Sequence, residues 1–235
     1  MSDDLSVHLP PIDASHADVP ASALSAELLA GLLADGDDEL AAWTLRHALN
    51  DQSRISVFDG LLRAAMELVG ERWVTGQWTI AEEHLASRTL LRALEQVRPP
   101  MAPEQRVGPM AVLASAAGEQ HMIGLVCLEQ VLAEHGWTVA NLGADLPPTD
   151  LGQFVQRNDV ALVAVSANAP DRRSAVADAI VAVRVAAGDR NVPVMLGGGI
   201  ARVPGIGDEV GADAVVRSLS EALGYAEAHR GESPA

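Results

Sequence analysis

The sequence predicts an α/β protein: a four-helix bundle followed by an open, doubly wound, five-stranded parallel sheet. Three observations carry that expectation. Apolar residues recur at i, i+3, i+4 and i+7 from Ser22 to Val97. A proline-rich break follows at 99–108. Beyond it, short β-branched and alanine-rich runs alternate with helical stretches, which is the pattern of repeated strand–helix units.

Taken in order, residues 1–20 hold Pro10, Pro11, Pro20 and four Asp with no apolar period, and read as a flexible acidic leader. Residues 21–98 supply four helical segments joined by short polar turns, a length that favours antiparallel neighbours. The fourth segment opens with Thr79 and, three residues on, Glu82, a capping box that fixes its first turn. Residues 99–108 form the linker and 109–235 the α/β domain. Strands are expected at PMAVLASA, WTVANLG, VALVAVSA, VPVMLGG and ADAVVRS, with a closing helix at Leu219–His229. In such a sheet, ligands bind beyond the carboxyl ends of the strands, so the loops after strands one, three and four are where chemistry belongs.

Composition narrows the function. At 235 residues the chain holds one large or two modest domains, taking about 150 residues per domain as the prior. Apolar residues make up 49% and charged residues 20%, values of a globular chain. Every one of the sixteen basic residues is Arg, against thirty-two acidic ones, for a net charge of −16. The first cation, Arg46, follows nine acidic residues, so this surface repels DNA and anionic membranes. No membrane-length apolar run and no signal peptide are found, which predicts a cytoplasmic protein. The single Cys127 excludes an intramolecular disulfide and reads as a small buried hydrophobe.

After the first strand comes Glu119-Gln120-His121-Met122-Ile123-Gly124. Here a neutral imidazole can bind a metal through one nitrogen while Glu119 holds the other N–H, and Gly124 leaves room for a bulky group. A capping or solvated histidine at a helix start is the alternative. Ser166 and Asn168 end the third strand, and Gly197, Gly198 and Gly199 follow the fourth; hydroxyl, amide and glycines suit a polar, extended ligand. Each is also ordinary turn chemistry. Asn141 to Asp145 after the second strand is equally ambiguous.

Together, Glu-x-His-x-x-Gly, Ser166, the Gly197–Gly199 run and GADAVVRSLSEAL resemble the cobalamin-binding domain of methionine synthase, corrinoid methyl carriers and cobalamin-dependent regulators. The resemblance covers about residues 108–230 and implies a flavodoxin-like (Rossmann-like) sheet. It implies that His121 replaces the cofactor's own base as lower axial ligand to cobalt, with Glu119 behind it. Gly124, Ser166, Gly197 and Gly198 would line the channel for the displaced nucleotide tail. Many enzymes and carriers of the family have Asp where Glu119 stands; glutamate is more typical of its regulators.

The bundle is similar to the cap that covers the upper face of the corrin in this family. Trp73 and Glu83-His84, with nine residues between them, resemble the cap of the cobalamin photoreceptors. The resemblance implies adenosylcobalamin or methylcobalamin, with Trp73 against the upper group, Glu83 accepting its hydrogens and His84 steadying Glu83. A core tryptophan and an acidic helix start are the plainer account of the same residues. In the best-studied light sensors a histidine follows the tryptophan; here Val74 stands there, and His84 is the nearest substitute. No MerR-type DNA-binding segment precedes the bundle in this sequence, so the resemblance points to a sensor acting on a separate transcription factor or other effector, with homo-oligomers as a further expectation. A corrinoid methyl carrier is the competing class. Trp43, Trp78 and Trp137 are expected to be packing residues, and His8, His16, His47, His135 and His229 to lie in tails or near helix ends.

Overall fold

The computed structural model describes residues 25–100 and 108–230. The acidic leader, with His8 and His16, and most of the linker lie outside the described residues. In the bundle, α1 (Ala26–Asp35), α2 (Asp38–Asp51), the short α3 (Arg54–Val57), α4 (Arg63–Val74) and α5 (Ile80–Gln96) follow one another. Ser25, Asp37, Ser53 and Thr79 cap the starts of α1, α2, α3 and α5, each accepting a backbone N–H three residues on. The Thr79–Glu82 capping box forms in both directions.

The third expected helix departs from expectation. It runs as α3 and α4 joined by a π-helical turn at Phe58–Leu62. An extra residue in one turn rotates everything beyond it by about 100° relative to an unbroken α-helix. Periodicity does not distinguish the two, because the apolar spacing survives the insertion.

The five strands are β1 (Met110–Ser115), β2 (Thr138–Asn141), β3 (Val160–Ser166), β4 (Val194–Gly197) and the two-residue β5 (Ala214–Val215). All pair in parallel in the order β2-β1-β3-β4-β5, which puts the topological switch between β1 and β3. Helices α6 (Ile123–Glu134) and α10 (Leu219–Ala228) cover one face; α7 (Pro148–Arg157), α8 (Arg173–Ala187) and α9 (Ile206–Val210) cover the other. Trp137 is fully buried and donates its indole N–H to Glu227, 3.1 Å away, so its packing role holds.

The bundle and the sheet share apolar packing. Val126, Cys127 and Val131 of α6 join Leu29, Leu45 and Leu90 in one buried cluster. Burial pushes the Cys127 thiol up to about 12, with the nearby Asp59 carboxylate adding to the effect, so this side chain is an inert hydrophobe. Buried Arg54 ties the same seam: it donates to the Val97 carbonyl at 3.1 Å and to Gln130 Oε1 at 2.9 Å. Its Nε lies 3.0 Å from Glu134, an ion-pair distance without hydrogen-bond alignment. Gln130 returns a bond to the Leu94 carbonyl at 2.8 Å.

Candidate functional site

The switch point is built around one buried carboxylate. Glu119 is 4% exposed, and its Oε1 accepts both the His121 N–H at 3.0 Å and the His121 ring Nδ1–H at 2.5 Å. Its Oε2 accepts the Asn168 N–H from the β3 loop at 2.6 Å. Burial alone would raise this carboxyl; the two backbone N–H groups and the His121 ring outweigh it and hold Glu119 below the usual carboxylate range. The loop is braced further by Ser115, whose hydroxyl donates to the His121 carbonyl at 2.9 Å, and by Asp145, which accepts the Gly118 N–H at 2.6 Å. With Nδ1 committed to Glu119, Nε2 is the nitrogen left on a ring whose side chain is 68% exposed. That arrangement fits a metal ligand: a tautomer fixed by a carboxylate and a second nitrogen on an exposed ring.

The β4 loop meets the same point. A Cβ on Gly198 would stand 2.3 Å from the Ala167 carbonyl oxygen and 2.9 Å from the Ser166 hydroxyl. Its φ of +87 and ψ of −173 lie in a region essentially reserved for glycine. Gly197 carries no such demand, since a Cβ there would make only ordinary contact with Val216, and Gly124 faces open space. Asn168, expected to offer its amide to a ligand, spends it inside the protein: its side-chain oxygen accepts the Gly199 N–H at 2.8 Å. The Asn168 backbone bond to Glu119 is a site contact that sequence spacing does not announce, because the partners lie 49 residues apart.

The other candidates lie on the bundle, whose α5 packs alongside α6. The Leu94–Gln130 bond and the groove lined by Leu91, Met122 and Val126 show α5 and α6 running in the same direction. Counting back along α5 at about 1.5 Å per residue, Glu83 and His84 fall level with the loop just ahead of α6, where His121 lies. Along α4, Arg63 donates to the Arg217 carbonyl and Glu67 pairs with Arg202 beyond β4 at 3.6 Å. Trp73 is six residues further, about 9 Å beyond that contact. It is 47% exposed, and Val74, Ile80 and Leu85 are exposed as well. Glu83 accepts the Ser87 hydroxyl at 2.9 Å and stands 2.6 Å from His84 Nδ1. Trp78 packs inward against the bundle core with the Arg72 guanidinium over its ring, 4.8 Å from the centroid.

The B12 binding domain family matches this chain twice, over residues 26–98 and over residues 109–225. The chain belongs to that family. Its cofactor is cobalamin. The chain is 40% identical over 121 residues to the HTH-type transcriptional repressor CarA of Myxococcus xanthus, covering 50% of this chain and 40% of the repressor. It is 24% identical over 168 residues to dimethylamine corrinoid protein 3 of Methanosarcina acetivorans, covering 71% of this chain and 78% of that protein. The monomethylamine corrinoid protein of Methanosarcina barkeri shares the fold, with a TM-score of 0.72 at 19% identity over 85% of this chain and 95% of that one. For cobalamin the donor set fits: an outward imidazole backed by a buried carboxylate, and a glycine that no side chain can replace.

Proposed function

We propose that this chain is a light-sensing regulatory protein that holds adenosylcobalamin or methylcobalamin and signals its photolysis to a separate protein partner, such as a transcription factor. The observation that carries the proposal is the pairing of two dissimilar surfaces at one end of the molecule. An imidazole seat at His121, held by Glu119, and an exposed tryptophan and a carboxylate on the bundle, Trp73 and Glu83, are read as the lower and upper faces of one cobalamin site. Likeness to a transcriptional repressor supports it.

Cobalamin, held through His121, would supply a cobalt ion and a cobalt–carbon bond that light can break. Glu119 keeps the proton on His121 Nδ1, so Nε2 stays available as the lower ligand. Gly124, open on its Cβ side, would leave room for the corrin edge, and Ser166 and Gly197 would line the displaced nucleotide tail, while Gly198 lets the β4 loop close against Ala167 and Ser166 beside it. The Trp73 indole would pack against an upper adenosyl group, and Glu83, oriented by Ser87 and His84, would accept its hydrogens. Once unloaded, Trp73 and Glu83 release the bundle to shift against the sheet, a two-state element that a partner reads. Homo-oligomers are a second form such a readout takes. Direct nucleic-acid binding is disfavoured by the net charge of −16. Among the described residues no helix is long and apolar enough to cross a membrane.

A second reading, a corrinoid methyl carrier of a methyltransferase system, is favoured by the 78% coverage of the dimethylamine corrinoid protein. The test is reconstitution in darkness with each cobalamin, followed by absorption spectra and mass distribution before and after illumination. A sensor changes both on illumination and holds adenosylcobalamin more tightly. A carrier binds methylcobalamin at least as well, and its mass distribution does not respond to light.

A further inference from the structure

The rod that bears Trp73 is fastened to the sheet half at its π-helical turn. Asp59, inside that turn, sends its carboxylate across to the start of α10: Oδ1 accepts the Leu219 N–H at 3.0 Å and Oδ2 the Ser220 N–H at 3.1 Å. Ser218 caps the next amide, that of Glu221, at 3.0 Å, so three first-turn donors of α10 are satisfied and two of them depend on the bundle. Arg63, at 2.6 Å from Asp59, completes the joint by donating to the Arg217 carbonyl at 3.3 Å. A widened turn in a helix is costly unless something holds it, and such turns cluster at functional positions. Here the partner that holds it belongs to the other half of the molecule, 160 residues away for the Leu219 contact.

We propose that Asp59 is a positioning residue that sets the height of Trp73 over His121, and thereby the protein's selectivity for a large over a small upper ligand. The physical basis is leverage. From Asp59 to Trp73 the rod is uninterrupted, about 20 Å at 1.5 Å per residue, so a small rotation at the joint moves the indole by ångströms. The second seam, through Arg54 and Gln130, ties α5 to α6; α4 itself meets the sheet half at the Asp59–Arg63 joint and at the exposed Glu67–Arg202 pair, and Asp59 makes the shorter, partly buried contacts of the two. Charge and geometry are matched: a carboxylate is the preferred partner of first-turn amides.

The inference rests on the upper-face role given to Trp73, and the experiment separates the two. Dissociation constants for adenosylcobalamin and methylcobalamin are measured by absorption titration in the dark for wild type, Trp73→Ala, Asp59→Asn and Asp59→Ala. Thermal unfolding monitors folding, and the isosteric Asp59→Asn covers the case in which Asp59→Ala does not fold. The expected result is that both Asp59 variants lower the adenosyl-over-methyl preference by about tenfold, what loss of one charged hydrogen bond produces, while the axial-histidine spectrum is unchanged. A preference changed by Trp73→Ala but untouched by both Asp59 variants overturns the inference alone. A preference untouched by Trp73→Ala overturns the upper-face role on which it stands. Equal weakening of both cobalamins by Asp59→Asn assigns Asp59 to stability only and also overturns it.

Discussion

The two faces of the site are held in opposite ways. On the sheet side, Glu119, His121, Asn168 and Ser115 form a hydrogen-bond set around a carboxylate 4% exposed to solvent, tied to the ends of β1 and β3. On the bundle side, Trp73 is 47% exposed and Glu83 is steadied by residues of its own helix, Ser87 and His84. A preorganised lower face pays little ordering entropy on binding, whereas the upper face is ordered by what it covers. On the function proposed above, permanent attachment would belong to the sheet, and discrimination and response to the bundle.

The sharpest way to break this contrast is Gly198→Ala. Its Cβ meets the Ala167 carbonyl and its backbone geometry is closed to other residues, so we expect a loss of about 3 kcal/mol or more in the apoprotein, read by denaturant unfolding. Gly197→Ala, with only an ordinary contact to Val216, leaves stability near wild type. Next comes Glu119→Gln, which costs roughly 10- to 100-fold in cobalamin affinity by titration, because an amide cannot serve as carboxylate to the imidazole. Wild-type affinity in that variant contradicts the preorganised lower face.

The sequence made the lower face partly legible and the upper face less so. Glu119 and His121 are two residues apart, and a carboxylate beside a histidine is a local pattern that folding preserved. The Thr79–Glu82 capping box is local too and formed as expected. What stayed hidden joins distant segments: Asn168 to Glu119, Asp145 to Gly118, Asp59 to α10. Such bonds use backbone N–H groups, which every residue but proline carries, so no residue type marks them. The π-helical turn was hidden too, because the apolar spacing survives it and the contact made by its Asp59 lies 160 residues away.

Smaller effects sharpen the comparison. Trp73→Ala weakens adenosylcobalamin by about two- to tenfold, the worth of one aromatic contact, with unchanged stability of the apoprotein. A large loss of stability would return Trp73 to a packing role. The pH dependence follows from Glu119, whose folded-state carboxyl lies below its ordinary value near 4.5. Its contribution to stability is present above that value and is lost as pH falls through the depressed one, because the unfolded chain takes up the proton first. Unfolding followed from pH 6 down to about 3 should show a decline in wild type that is flattened in Glu119→Gln. The smallest effect is expected at Gly124→Ala, where open space leaves the apoprotein unperturbed and any change appears in cobalamin affinity alone.

The most direct test asks which nitrogen touches cobalt. Protein labelled with nitrogen-15 in its histidine rings is loaded with cobalamin, reduced to the cobalt(II) state and examined by electron paramagnetic resonance. Ligation by His121 predicts that the three-line nitrogen splitting of the unlabelled complex becomes two-line, and that the two-line pattern is absent in His121→Ala. A splitting that stays three-line in the labelled protein places the cofactor's own base on the metal and contradicts the account.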